Sequence, residues 1–231
     1  MNNIIGIRNE STLHRTLKYQ YIGKGGKSEV EVGEYVADGV RKDGEYIEVQ
    51  TGSFAPLKKK VKEFAAAGKV RIIHPIAVMR IIEVYNTNGK MLYRRKSPLR
   101  GTLCNLFDAL VHAPELPLLK NVTIEAVLAD ITEKRLKDGK GSKRRKGISK
   151  KDKELTKYHE SVIFSKPKDY LALIPFKKNE EFTVLKLAKE AKIKTDMARK
   201  ILYVLTKIKA VKRTGKKVNA WVYVINTRVR N

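Results

Sequence analysis

The run Val36-Ala37-Asp38-Gly39-Val40-Arg41-Lys42-Asp43-Gly44-Glu45-Tyr46-Ile47-Glu48-Val49-Gln50 decides how this chain is read. Lys42-Asp43-Gly44 carries the Asp-Gly signature of a tight hairpin turn, with β-branched and aromatic residues on either side of it. Nine residues separate Asp38 from Glu48. Folding the run back on itself therefore brings one carboxylate from each strand to one edge of a sheet. Gln50, two places beyond Glu48, points the same way as Glu48 because side chains alternate along a strand. Two anionic oxygens close together are what a Mg²⁺ ion requires. In this reading Asp38 and Glu48 hold Mg²⁺ or Mn²⁺ and Gln50 orients water or phosphate through its amide, which cannot accept a proton. The plain alternative is an exposed acidic hairpin.

Elements on both sides extend the picture. Glu10 to Tyr21 has Leu13, Leu17 and Tyr21 four apart, which predicts a first helix capped by Asn9 or Ser11 and ended by Gly23-Lys24-Gly25-Gly26. Glu29 to Ala37 alternates as one strand or two short ones, and Glu45 to Thr51 is the return strand. Ala55 to Ala67 predicts a helix with Leu57, Val61 and Phe64 inward and Lys58, Lys59, Lys60 and Lys62 mostly outward. Val70 to Met79 is nearly all apolar and reads as an interior strand. Strand pieces are expected at Arg80–Tyr85 and Met91–Arg95, then a helix from Thr102 to Val111 and a strand from Val122 to Asp130. Strand–helix–strand order points to an α/β fold with a mixed β-sheet flanked by helices.

The charge bounds the partners. Lys and Arg number 50 against 24 Asp and Glu, a formal net charge of +26. A compact fold with that excess repels itself, so a polyanion is expected to be bound, DNA first and RNA as an open alternative. Residues 133–157 hold twelve basic and four acidic residues with three glycines. They read as a basic loop in which Lys140, Lys143, Arg144, Arg145 and Lys146 offer phosphate contacts, as do Lys58, Lys59 and Lys60 on the outer side of the second helix. The P-loop spacing is absent, which excludes nucleotide hydrolysis of that type. No His-Glu-x-x-His zinc motif and no Ser-His-Asp nucleophile elbow occur. His74 reads as a buried structural residue, while His14 is one helical turn from Glu10.

A single cysteine, Cys104, excludes an internal disulfide. The opening Met1–Gly6 stretch lacks the basic flank and apolar core of a signal peptide, and no apolar run is long enough to span a membrane. A cytoplasmic protein is expected.

Beyond a strand expected at Tyr170–Pro175, residues 178–231 look like a second unit. Thr183 caps a short helix and Thr195 a longer one reaching about Ile208. A hairpin follows, turning at Thr214-Gly215-Lys216-Lys217, with Tyr203, Trp221 and Tyr223 read as core residues. Two helices and a basic-tipped hairpin are the order of a winged helix-turn-helix, in which Arg199, Lys200, Arg213, Lys216 and Lys217 would face nucleic acid.

Taken together, residues 9 to 80 resemble the PD-(D/E)XK nuclease superfamily, which includes many restriction endonucleases and junction resolvases. The resemblance rests on the acid-bearing helix, the Asp38-x9-Glu48-x-Gln50 hairpin, the following helix and the buried strand. Asp38 matches the first acid and Glu48 the second. Gln50 stands at the usual lysine, and Ala37 stands where proline is common. The resemblance also implies a further metal-side acid on the first helix, at Glu10. The middle region and basic loop are similar to an uncharacterised bacterial family joining such a core to a C-terminal winged helix. The expectation is a Mg²⁺-dependent DNA endonuclease with a core at 1–175 and a winged-helix domain at 178–231, with a homodimer open. The competing class is a non-enzymatic DNA-binding protein on the same fold.

Overall fold

A computed structural model of the chain describes residues 10–227. The expectations for Met1–Gly6 and for Asn9 as a cap fall outside those residues. Helix α1 (Thr12–Ile22) starts at Ser11, whose side chain accepts from the His14 N–H, and ends at Gly23 with φ of 68°. Strands β1 (Lys27–Val32) and β2 (Tyr35–Val40) are the pair of short strands, turned at Gly33. Strand β3 (Tyr46–Val49) returns after the Asp43-Gly44 turn. Helix α2 (Leu57–Ala67) crosses over to β4 (Val70–Tyr85), which runs parallel to β3.

The remaining strands are β5 (Met91–Lys96), β6 (Val122–Lys137) and β7 (Ile148–Phe164). The main sheet has seven strands in the order β1-β2-β3-β4-β6-β7, with β5 also paired to β4. It is mixed: β3, β4 and β6 run parallel to one another, and the other pairs are antiparallel. Leu13, Leu17 and Ile22 of α1 bury one face against Ile47, Val49, Ile73, Val127 and Ala129. The other face, with Val70, Ile72, Ile124 and Ala126, packs on α2 and on the short helix α3 (Leu106–Leu110). Alternate side chains of β4 and β6 thus serve two layers, so both strands carry apolar residues on both faces, interrupted by charged ones such as Arg71 and Glu125.

Several local readings change in three dimensions. Arg80–Tyr85 is the continuation of β4, carried on by parallel pairing with β6 to Tyr85. The segment 133–157 is mostly the paired ends of β6 and β7, a ribbon whose β6 strand also pairs with β4 as far as Leu136, and only residues 138–147 form its tip. Part of its charge is paired across and along the strands: Lys134 meets Glu154 at 2.6 Å and Arg135 meets Glu133 at 2.6 Å. Thr132 and Thr156 bond across the strands at 2.9 Å. Tyr170–Pro175 is not a strand, because residues 167–173 wind as a 3₁₀ helix. The Asp169 carboxylate accepts from Ser165 N at 2.8 Å and Lys166 N at 2.9 Å, and Pro167 presets φ for the turn. Residues 103–105 of the expected third helix are likewise 3₁₀.

At the C-terminus, α4 (Val184–Glu190) is capped by Thr183, as the sequence predicts. Helix α5 (Thr195–Lys207) begins one residue earlier than expected, with Lys194 at the cap. Strands β8 (Val211–Lys217) and β9 (Ala220–Ile225) form a separate two-stranded sheet that turns at Val218-Asn219, not at 214–217. Ile201, Leu202 and Leu205 of α5 share one apolar core with Phe107 and Leu110 of α3. Lys200 also binds Asp108 at 2.6 Å across that junction. Tyr223 is buried as expected, but Tyr203 and Trp221 are exposed, contrary to the core reading. Among the described residues, no helix is long and apolar enough to cross a membrane.

Candidate functional site

The β2–β3 ladder runs from Val40↔Tyr46 to Gly39↔Ile47 and stops one step short of Asp38 and Glu48. There the strands part, and an Asp38 carboxylate oxygen takes the Val49 N–H at 2.7 Å in place of a backbone carbonyl. Gly39 makes the approach of α1 possible. A Cβ on it would sit 2.2 Å from Ile22 Cδ1, so only glycine lets the helix end rest on the strand that carries Asp38. Glu48 lies at the carboxyl end of a strand in a parallel βαβ unit, the end at which α/β sheets hold ligands.

Helix α1 turns His14 and Lys18 to this notch, and Glu10, expected on the helix, instead precedes its Ser11 cap but reaches the same face. His14 Nε2 lies 3.2 Å from Asp38, and His14 Nδ1 lies 2.5 Å from Glu10. The buried Lys18 ammonium binds Glu10 at 3.0 Å and Glu29 at 2.8 Å. From the other side α2 sends Lys60 to Glu48, with Nζ 2.7 Å from Oε1. Glu48 Oε2 is buried and has no hydrogen-bond partner. Burial, then the Asp38 charge, push the Glu48 carboxyl up to about 7, with Lys60 and the Asp38 backbone N–H opposing the rise. Burial would also lift Asp38, but the hydrogen bond and charge of His14, the Val49 N–H and Lys60 hold it below the usual carboxylate range. Burial lowers His14, yet its contacts with Asp38 and Glu10 leave it raised on balance.

Glu10, His14, Lys18, Glu29, Asp38 and Lys60 line an open cleft of ≈ 540 Å³, while Glu48 is buried and does not reach its lining. Glu10, His14 and Asp38 line one wall, and Lys150, Lys151 and Lys153 of β7 join the lining from the ribbon. Asp152 fixes the ribbon to α1, accepting from Thr12 N at 2.8 Å and Thr12 Oγ1 at 2.6 Å. A second depression of ≈ 410 Å³, lined by Arg80 and Arg100 among others, shares Thr51 with the first.

The structure therefore brings Asp38, Glu48, Glu10 and Lys60 together. It does not bring Gln50: the side-chain amide donates to Ser53 O at 2.7 Å, and its backbone oxygen meets His74 Nδ1 at 2.6 Å. His74 is buried, and burial lowers it to about 4, which keeps it a neutral structural ring. Lys60, expected outside as a phosphate contact, supplies the cation that the hairpin lacks. Glu10 reaches the rim already engaged by His14 and Lys18. Among the described residues, no three Asp, Glu, His or Cys side chains converge as a preformed metal cage. The donor chemistry still fits a divalent ion at two carboxylates, since Glu48 keeps one buried oxygen unsatisfied beside Asp38.

The basic residues distribute unevenly. Lys58, Lys59, Lys140, Lys143, Arg144 and Lys146 are exposed, Arg145 is half-buried, and Lys58 approaches Glu115 at 3.9 Å. Arg199 pairs with Asp196 at 2.7 Å and Lys217 with Glu181 at 3.2 Å, while Lys200 is held by Asp108. Arg213 and Lys216 gather at Trp221. The sequence alone does not single out Lys18 or Lys153. The four-residue recurrence on α1 is a usable signal for Lys18, whereas nothing local marks Lys153.

The sequence profile of the family described as "Domain of unknown function (DUF8091)" matches residues 11–165, from the start of α1 to the end of β7. An uncharacterized protein of Treponema pallidum (strain Nichols) is 27% identical over 155 residues, 67% of this chain. That match spans 62% of the relative's own length. No solved structure matches the chain. The profile match takes in the acid pair, Lys60 and the basic ribbon, and by it the chain belongs to the family described as "Domain of unknown function (DUF8091)".

Proposed function

We propose that this protein is a divalent-cation-dependent nuclease acting on DNA phosphodiesters, with a core related to the PD-(D/E)XK superfamily and a C-terminal unit that works as a winged helix-turn-helix. The observation that carries the proposal is the buried, unpartnered Oε2 of Glu48 beside Asp38, the Asp38 side chain lining a cleft rimmed by lysines.

Asp38 and Glu48 are the residues to hold Mg²⁺ or Mn²⁺, which would lower the pKa of water and offset charge building on phosphorus. In hydrolysis the water oxygen bonds to phosphorus, one ester P–O bond breaks, and the leaving oxygen takes a proton. The chain's own groups serve the other needs. Glu48 holds a proton at Oε2 below about pH 7 and must release it when a cation arrives, so ion binding and proton release are coupled. Lys60 offers a positive charge to the phosphoryl oxygens, as a point charge suited to phosphate. His14, clasped between Glu10 and Asp38, keeps Asp38 ionised and oriented. Lys150, Lys151 and Lys153 line the same cleft as Glu10 and Asp38 and can hold the sugar–phosphate backbone, with Arg80 and Arg100 in the neighbouring depression that shares Thr51.

The test is cleavage of labelled duplex, nicked, flap, four-way-junction and single-stranded DNAs with Mg²⁺, with Mn²⁺ and with chelator, beside Asp38→Asn and Glu48→Gln. Metal-dependent cutting that disappears in both variants is expected. A second reading, a DNA-binding protein without hydrolytic activity, is favoured by one feature: His14 and Lys60 already neutralise much of the acid pair. Tight salt-sensitive binding with no cutting of any substrate would replace the first reading with the second.

A further inference from the structure

The chain has one tryptophan, Trp221, and it lies on β9 with 41% of its surface exposed. The Arg213 guanidinium is 4.7 Å from its ring centroid and the Lys216 ammonium 4.8 Å. The hairpin does not need this ring for its own core. Val211, Val222 and Tyr223 fill that role, with Tyr223 set 6.3 Å from Phe182. Residues 211–225 include Lys212, Arg213, Lys216 and Lys217 and no acidic residue. The tip is Val218, which is 95% exposed and held at φ of 55°. A β-branched residue is disfavoured there, where Asn or Gly would sit without strain. An unstrained polar tip has thus been forgone for an apolar one, next to an exposed indole ringed by cations.

We propose that the β8–β9 hairpin is a stacking site for an unpaired nucleobase. Trp221 takes the base on its ring face, and Arg213 and Lys216 swing from the indole to the flanking phosphates. A base offers the flat π surface that an indole stacks on, and its phosphates complement the four cations. A paired base keeps its faces covered by its neighbours in the duplex, so the site selects single strands, frayed ends and gaps. This inference rests on nucleic acid being the partner and narrows the substrate to DNA with unpaired bases.

Because Trp221 is the sole tryptophan, the unmodified full-length protein reports on the site through its own emission. Titration with an oligothymidylate should quench that emission saturably, and a blunt duplex of equal length should quench it less. Inorganic polyphosphate, which carries phosphates without bases, should bind with little quenching. Trp221→Ala should weaken single-strand binding, read by anisotropy of labelled DNA, by roughly 5- to 150-fold, the range spanned by a single base–aromatic stack. Trp221→Phe should recover most of that affinity. Equal quenching by polyphosphate, unchanged emission on binding, or an alanine variant that binds single strands as well as the parent would each overturn the stacking site. Any of these, with metal-dependent cleavage intact, leaves the nuclease proposal standing. Failure of the parent protein to bind any nucleic acid would remove both.

Discussion

Replacing Glu48 by glutamine should make the folded protein more stable at pH 8 while abolishing the proposed activity. In the unfolded chain this carboxyl titrates near 4.5, and in the fold near 7. Below pH 4.5 both states are protonated and the residue costs nothing. As pH rises from 4.5 to 7 the unfolded state sheds its proton first, so stability falls through that window and stays low above it. The gap of 7 against 4.5 corresponds to about 3 kcal/mol, at 1.36 kcal/mol per pH unit. Glutamine carries no charge to bury and still presents an oxygen to Lys60. The attraction of Lys60 already opposes the rise to about 7, so its loss is contained in that figure. The gain at pH 8 is then about 3 kcal/mol, or about 6–12 °C in Tm for a chain of this size. Thermal melts followed by far-UV circular dichroism at pH 8 and pH 5 check this, and the advantage should shrink to under about 1 kcal/mol at pH 5. Adding MgCl₂ at pH 8 should raise the Tm of the parent and leave the variant unmoved, since only a ligand of the native state stabilises it. A variant equal to or less stable than the parent at pH 8 would refute the account of Glu48 as a buried charge awaiting a cation.

Four other outcomes follow from the geometry. Lys60→Met should lower cleavage about 100-fold or more, the size expected for removing a charge placed at the reacting phosphate, whereas Gln50→Ala should cost less than about tenfold, measured as single-turnover rates on one substrate. Asp152→Ala removes both bonds to Thr12 and should destabilise the fold by about 1–3 kcal/mol, with faster amide exchange concentrated in α1. Neutralising Lys143, Arg144 and Lys146 together should flatten the salt dependence of duplex binding by about 0.9 in log–log slope for each phosphate no longer neutralised. Thr183→Ala, which deletes the α4 cap, should cost about 1 kcal/mol in chemical denaturation.

Much of the fold is legible over short windows of chain. The apolar spacing of Leu13 and Leu17, the Asp43-Gly44 turn, the amphipathic run of α2, the apolar start of β4 and the Thr183 cap are each written within one turn or one strand. The acid pair belongs with these, because a hairpin joins residues close in sequence and its turn sets the register. The ribbon is not legible in that way. Its charge run looks like a solvated loop until Lys134 and Glu154 are brought side by side by a register that no short window contains. A strand at 170–175 is expected from apolar content alone, but residues 167–173 wind as a 3₁₀ helix whose Asp169 carboxylate takes the N–H groups of Ser165 and Lys166.

The sequence by itself determined the α/β class, the hairpin that carries Asp38 and Glu48, and the net charge of +26. Tertiary structure alone decided which side chains complete the site. Lys60 enters it through the α2 crossover while Gln50 turns away to Ser53, and Asp152 crosses 140 positions of chain to hold Thr12. It also decided that Trp221 stays outside the core, because Tyr223 and Val222 fill the space beneath the hairpin. The division is physical. Propensity, capping and turn chemistry act between near neighbours and leave a local pattern. Burial, charge pairing and carboxyl titration depend on which distant groups share a volume, and that is fixed only when the layers pack.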